Sequence, residues 1–225
     1  MGLPEGQVCG VWVCAMPRLA GKTIVIIGAG ADGAGPLAQR LALLGAQVIA
    51  IGPHEAPLLR LARLHPEKIE VLAMDFHDLA ACRRLARLWG REPVHGLINL
   101  MPLAAPVEPA QRALETVVAI MRPALVAGQG AVVCLATTPA TAIAPVNAQG
   151  GAHARLAAVA FGAHQQHMAL LAQARAAQGI TVAMVALAPG LALAASAPLL
   201  AFLSAAPRPN LAGLCFPLRC GAQSD

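Results

Sequence analysis

Residues 23–44 read TIVIIGAGADGAGPLAQRLALL, and no other stretch constrains the fold of this chain as strongly. An apolar, β-branched run, Thr23–Ile27, enters a glycine-dense turn, and a helical pattern leaves it. Gly28, Gly30 and Gly33 carry the G-x-G-x-x-G spacing, and Gly35 follows them. A buried strand that stops at such a turn delivers the chain directly into a helix. The first N–H groups of that helix are unpaired and its positive dipole end faces outward, an arrangement suited to phosphate. A lone glycine motif is weak evidence, but this one has the required strand before it and helix after it, and strand–helix alternation continues down the chain. The same glycines have a structural use too, letting the first helix pack closely on a sheet.

The chain of 225 residues is long enough for one α/β domain with its own core. The expected division is an N-terminal appendage over 1–20, a single domain over 21–221 and a tail over 222–225. With 57% hydrophobic and 12% charged residues, the chain is neither a disordered tail nor a nucleic-acid-binding arm. So little charge beside so much Ala and Leu suggests helix surface buried against another subunit. The net charge is +5, and its densest cluster, Arg83, Arg84, Arg87 and Arg91, reads as a solvated helix face. No basic stripe interleaved with aromatics accompanies it, so nucleic acid is not an expected partner. Cys9 and Cys14 do not form a C-x-x-C pair, and the other cysteines are scattered. They read as reduced, buried residues of a cytoplasmic protein, with Cys215 and Cys220 the pair near enough in sequence to bridge. No basic-then-apolar leader is read at the start. The apolar runs are strand-length or broken by charge, so no membrane span is expected.

In order, Val8–Cys14 reads as a short strand within the appendage. After the glycine turn and its helix come a second strand, Gln47–Ile51, a short helix, Pro57–Leu64, and a third strand, Ile69–Met74, followed by Asp75. A basic amphipathic helix, Leu79–Trp89, leads to a fourth strand, Val94–Leu100, which carries Asn99. A helical region over Pro109–Val126 is interrupted near Pro123. The fifth strand, Ala131–Ala136, delivers Thr137 and Thr138 to its carboxyl end. A long helix, about Ala152–Gln178, a sixth strand, Ile180–Leu187, a break at Pro189–Gly190, a final helix, Leu199–Ala205, and a last strand, Leu214–Pro217, complete the chain. This alternation predicts a Rossmann-like, doubly wound, mostly parallel seven-stranded sheet with helices on both faces.

The passages GKTIVIIGAGADGAG, GAQVIAIG, MDFHD, HGLINL, GAVVCLATT, QGITVAMVALAPG and LLAFLSAAPRPNLAGLCFPLRCG together resemble the short-chain dehydrogenase/reductase family over nearly the whole length. The resemblance implies that Gly28, Gly33 and Gly35, with Gly30 in the same turn, lie under a cofactor pyrophosphate. The turn carries one residue more than the family's usual T-G-x-x-x-G-x-G. Asp75 matches the acidic residue near the adenine ring. Asn99 matches the first Asn of the family's N-N-A-G, whose remainder here is Leu100, Met101 and Pro102. The family's chemistry uses a Tyr as acid or base, a Lys four residues later that lowers its pKa, a Ser and an Asn. A phenol with a pKa near 10 is a poor acid–base group at neutral pH without such a cation.

This sequence contains no Tyr. Aligned through the glycine that ends the long helix, the Tyr position falls near Ala157 and the Lys position near Phe161. Lys22 and Lys68 both belong to the first half. The Ser position falls at Ala136 or Thr137, and Asn99, Asn147 and Asn210 all lie outside the helix before the fifth strand. The family's long substrate-covering segment is reduced to Leu191–Pro198. Gly52 stands where an NAD-preferring relative offers Asp to the adenosine ribose, and no Arg or Lys follows directly to suit NADP. Asp32 adds a carboxylate to the turn, unfavourable to phosphate unless it turns away or pairs with Arg. NAD, NADP and a remodelled, empty crevice all stay open.

His164 and His167 share a face of the long helix, but no acidic or Cys ligand accompanies them there. No metal is expected, and the pair reads as a polar or subunit-facing patch. His153 and Thr137 are the candidates for an unorthodox catalyst, and Cys134 reads as core. No G-x-S-x-G elbow of a hydrolase is present. Residues 154–177 carry only Arg155 and Arg175 as charges, more apolar surface than one sheet-facing stripe uses. The helix near residues 152–178 is therefore the expected interface of a dimer or other homo- or hetero-oligomer, the resembled family using helices at this position between subunits. The reading that results is a catalytically degenerate protein acting as a structural, assembly or regulatory subunit, alone or with a catalytically complete relative. The alternatives are an atypical NAD(P)-dependent oxidoreductase and a nucleotide or small-ligand sensor.

Overall fold

A computed structural model describes residues 18–103, 107–139 and 152–219. The strand read at Val8–Cys14, the tail over 222–225 and Cys220 lie outside the described residues. The strands are β1 (Thr23–Ile27), β2 (Gln47–Gly52), β3 (Ile69–Ala73), β4 (Gly96–Asn99), β5 (Ala131–Thr137), β6 (Thr181–Leu187) and β7 (Cys215–Leu218). The helices are α1 (Ala34–Leu43), α2 (Glu55–Ala62), α3 (Leu79–Trp89), α4 (Val107–Ile120), α5 (Arg122–Gly128), α6 (Ala152–Ala176) and α7 (Ala197–Ala205).

The seven strands form one sheet in the order β3-β2-β1-β4-β5-β6-β7. The expectation was a mostly parallel sheet; each neighbouring pair is in fact parallel. A parallel sheet is covered on both faces, so its central strands run continuously apolar rather than alternating. β5 (AVVCLAT) and β6 (TVAMVAL) do so, and β6 is buried along its full length. Helices α1, α2 and α7 pack one face around Ile24, Ile26, Leu37, Leu41 and Leu200. Helices α3 to α6 pack the other around Val25, Ile27, Leu114, Val117 and Met168.

Several boundaries differ from the sequence reading. β4 begins at Gly96, because the Val94 N–H donates to Ala124 O of α5 rather than to a neighbouring strand. The helical region before β5 is two helices, with Pro123 in the first turn of the second, where its missing N–H costs nothing. Leu19, placed by sequence in the appendage, is fully buried and donates its N–H to Leu44 O. The short link after Gly190 is an ordered 3₁₀ turn, Leu193–Ser196, in which Ser196 Oγ donates to Leu193 O at 2.7 Å. Among the described residues no helix is long and apolar enough to cross a membrane.

Candidate nucleotide crevice

β1 lies between β2 and β4. The chain leaves β1 toward one edge of the sheet and returns to build the other, and at such a switch point the loops diverge and open a crevice at the carboxyl ends of the strands. The glycine turn forms its floor. Gly28 has φ 74°, and a Cβ there would stand 2.8 Å from the Met101 nitrogen and 3.1 Å from the Leu100 carbonyl carbon. The chain leaving β4 therefore lies directly on the turn. Gly33, the N-cap of α1, has φ 82°, and a Cβ there would stand 3.0 Å from Leu193 Cβ. Gly30 differs: no described atom lies within 4 Å of where its Cβ would be.

The open space at Gly30 belongs to a cavity of about 260 Å³ lined by Gly28, Gly30, Gly52, Asp75, Phe76 and Met101, among others. A second cavity, about 250 Å³, shares Gly30 and Ala31 with it and takes in Asp32, Gly33, Gly35 and Arg60. A Cβ on Gly52 would stand 3.4 Å from the Gly30 nitrogen, so the end of β2 runs against the turn with no side chain between. Asp75 is exposed, and its Oδ1 accepts the His77 N–H at 2.9 Å in an Asx turn. Asp32 and Arg60 line the same space without forming an ion pair among the described residues.

Asn99 occupies a different place. It is fully buried behind the crevice wall, where Oδ1 accepts the Met101 N–H at 3.0 Å and Nδ2 donates to Cys134 Sγ at 3.3 Å. Cys134 Sγ lies 3.1 Å from His164 Nε2, and His164 Nδ1 lies 3.1 Å from Gln111 Nε2 of α4. The expectation that His164 belongs to a polar or subunit-facing patch is corrected here, for its side chain points into the core at 1% exposure. Burial, helped by the neighbouring His167, pushes its pKa down to about 4. Burial pushes the Cys134 thiol up to about 12, against the smaller pull of the Asn99 hydrogen bond. Both groups are thus neutral at pH 7. His167, half-buried, faces Glu115 at 3.5 Å. Gln111 escaped the sequence reading because a glutamine within an amphipathic helix carries no signal until its partner helix is placed.

The structure gathers Gly28, Gly30 and Asp75 around one cavity and Gly33 and Gly35 around the next. Thr137 ends β5 with its side chain exposed, and the following residue, Thr138, donates its N–H to Leu187 O at 2.7 Å. Ala157 is exposed and Phe161 half-buried on α6. The side chain of His153 lies outside the described residues. Among the described residues no three His, Cys, Asp or Glu side chains converge as metal ligands.

No protein-family model matches the chain, and no curated protein matches it. Solved structures do. The backbone follows the complex of Pseudomonas aeruginosa RhlG with NADP at TM-score 0.71 and 17% identity, covering 92% of this chain and 98% of that one. It follows a short-chain type dehydrogenase/reductase from Mycobacterium marinum at TM-score 0.67 and 17% identity, covering 93% and 98%. A Beutenbergia cavernae protein assigned as an NAD(P)-dependent gluconate 5-dehydrogenase, with NADP bound at low occupancy, gives TM-score 0.67 at 20% identity, covering 90% and 96%. The class so defined is a Rossmann-like α/β protein with its crevice at the β1/β4 switch point. The particular fold is that of the short-chain dehydrogenase/reductases.

Proposed function

We propose that this chain is a divergent short-chain dehydrogenase/reductase that binds an adenine nucleotide without the family's proton-transfer chemistry, and that it serves as a structural or regulatory subunit of an oligomer. One observation carries the reading: the sequence has no Tyr, and by sequence alignment the family's phenol and ammonium positions fall near Ala157 and Phe161. An alanine methyl and a phenyl ring exchange no proton. Thr137 and Thr138 are the hydroxyls at the end of β5, and an unassisted aliphatic hydroxyl is a far weaker acid than a phenol.

The residues at the adenine end fit a nucleotide. Gly30 leaves room that a Cβ would fill, Gly52 lets the end of β2 lie close against the turn, and Asp75 and Phe76 supply an acceptor and an apolar wall. At the phosphate end the fit is poorer: Leu193 packs on Gly33, and Pro36 removes an N–H from the first turn of α1. A nicotinamide cofactor, when bound, supplies the hydride for redox chemistry. This chain's residues supply its seat and no phenolic proton partner. The RhlG and Beutenbergia cavernae structures hold NADP, which makes the phosphorylated dinucleotide a natural first ligand to test.

The outer face of α6 supports the oligomer. Leu156, Val159 and Leu170 are 66%, 69% and 57% exposed, and a groove between α4 and α6 runs past Glu115, His167, Leu170 and Arg175. Its occupant is a second copy of this chain or a catalytically complete relative. The buried thiols Cys82 and Cys134 suit a reducing, cytoplasmic setting.

Calorimetric titration with NADPH and NADH, beside a turnover assay on carbonyl and alcohol substrates, tests the proposal. Binding without turnover above the cofactor-only control is the expected result. Sustained turnover at enzymatic rates would overturn it.

A further inference from the structure

Four buried or half-buried side chains in the layer between the sheet and helices α4 and α6 form a continuous run that ends at the crevice wall. Gln111 meets His164, His164 meets Cys134, Asn99 meets the same sulfur, and Asn99 Oδ1 holds the Met101 N–H. Met101 lines the cavity, and its nitrogen stands 2.8 Å from where a Cβ on Gly28 would be. The packing of α4 and α6 on the sheet brings these groups from four separate elements to one line.

The orientation of the Gln111 amide sets a direction along that line. With the Gln111 amide nitrogen donating to Nδ1, the neutral imidazole carries its proton on Nε2 and donates to Cys134 Sγ. The sulfur then accepts from His164 on one side and Asn99 Nδ2 on the other. That holds the Asn99 carbonyl toward Met101. A flipped Asn99 amide would set its NH₂ against the Met101 N–H, donor facing donor in a dry interior.

We propose that His164 is a positioning residue for the crevice: through Cys134 it fixes the Asn99 amide, and Asn99 fixes the Met101 backbone that walls the nucleotide site. The proposal rests on the reading that this crevice binds an adenine nucleotide. The ionisable groups around His164 are Cys134 on β5, His167 one turn along α6, and Glu115 on α4, which faces His167 rather than His164. Asn99 and Gln111, its other neighbours, do not titrate. Protonating His164 places a second N–H donor, on Nδ1, against the Gln111 amide and a buried cation beside the run, so the arrangement holds only while the imidazole is neutral.

The experiment compares wild type, His164→Leu, His164→Gln and Cys134→Val by amide hydrogen exchange at Met101 and by calorimetric titration with NADPH. In the Leu and Val variants the Met101 amide is expected to exchange about tenfold faster and NADPH to bind about tenfold more weakly, the scale of one hydrogen bond. His164→Gln retains an N–H donor toward Cys134 and recovers most of both. Wild-type affinity holds from about pH 7 to about pH 5 and falls only as pH approaches 4, where His164 protonates, and His164→Leu removes that acid limb. Unchanged Met101 exchange in a folded Leu or Val variant overturns the proposal, whether or not nucleotide binds. If wild type binds no NADPH while Met101 exchange still responds to His164, the positioning run stands and the nucleotide reading falls. Cys134→Val keeps the test decisive should His164→Leu fail to fold.

Discussion

Gly28 and Gly30 sit two positions apart and answer to opposite demands. Gly28 has positive φ and the Leu100–Met101 backbone against its Cα, so a methyl group meets both a strained conformation and atoms that cannot step aside. Gly28→Ala is expected to destabilise the fold by about 2–4 kcal/mol, read as a lowered urea midpoint. Gly30 has neither constraint, and Gly30→Ala should change stability by no more than about 0.5 kcal/mol. Its methyl would project into the 260 Å³ cavity, so the cost appears instead as weaker NADPH binding in calorimetry. If both variants lost stability equally, the turn would be a packing device alone. The contrast separates what the glycines do for the sheet from what they do for a ligand, a distinction that the spacing of the motif does not make.

Helix α6 carries unlike faces. Its inner face sets His164, Met168, Leu171 and Ala172 against the sheet and α4, while Leu156, Val159 and Leu170 face outward. Nearly uniform apolarity hides this division from a helical-period analysis, which separates faces only when one of them is polar. The buried histidine gives the inner face a pH dependence. An unfolded chain protonates this imidazole near pH 6.5, the folded one near pH 4, so between those values the unfolded state binds more protons. The stabilisation due to His164 is complete above about pH 6.5 and is lost as pH falls toward 4, on the order of 3 kcal/mol in all. Denaturant titrations of wild type and His164→Leu across that window check the sign. The variant should show the shallower slope, and an equal slope would locate the acid sensitivity elsewhere.

For the molecule as a whole, the assembly prediction is that Leu170→Glu, at a position 57% exposed and lining the α4–α6 groove, shifts light scattering from oligomer to monomer. Thermal stability extrapolated to the monomer should be nearly unchanged, because the side chain contributes little to its own chain's core. An unaltered mass would remove α6 as the interface. The strand–turn–helix at Thr23–Leu43, the unbroken apolar runs of β5 and β6, and the repeated alternation were sufficient to fix a parallel doubly wound sheet, because burial on both faces leaves a mark in local sequence. The absence of Tyr was equally plain, since no arrangement of the chain supplies a residue it does not contain. Tertiary structure alone decided that Asn99 lies behind the crevice rather than in it, that Leu193 settles on Gly33, and that His164 points inward to Cys134 and Gln111. Those contacts join residues 35, 160, 30 and 53 positions apart, in that order (99 to 134, 33 to 193, 134 to 164, 111 to 164). Periodicity and spacing report which face of an element is buried; which buried atom meets which is settled only when helices and strands distant in sequence are packed together.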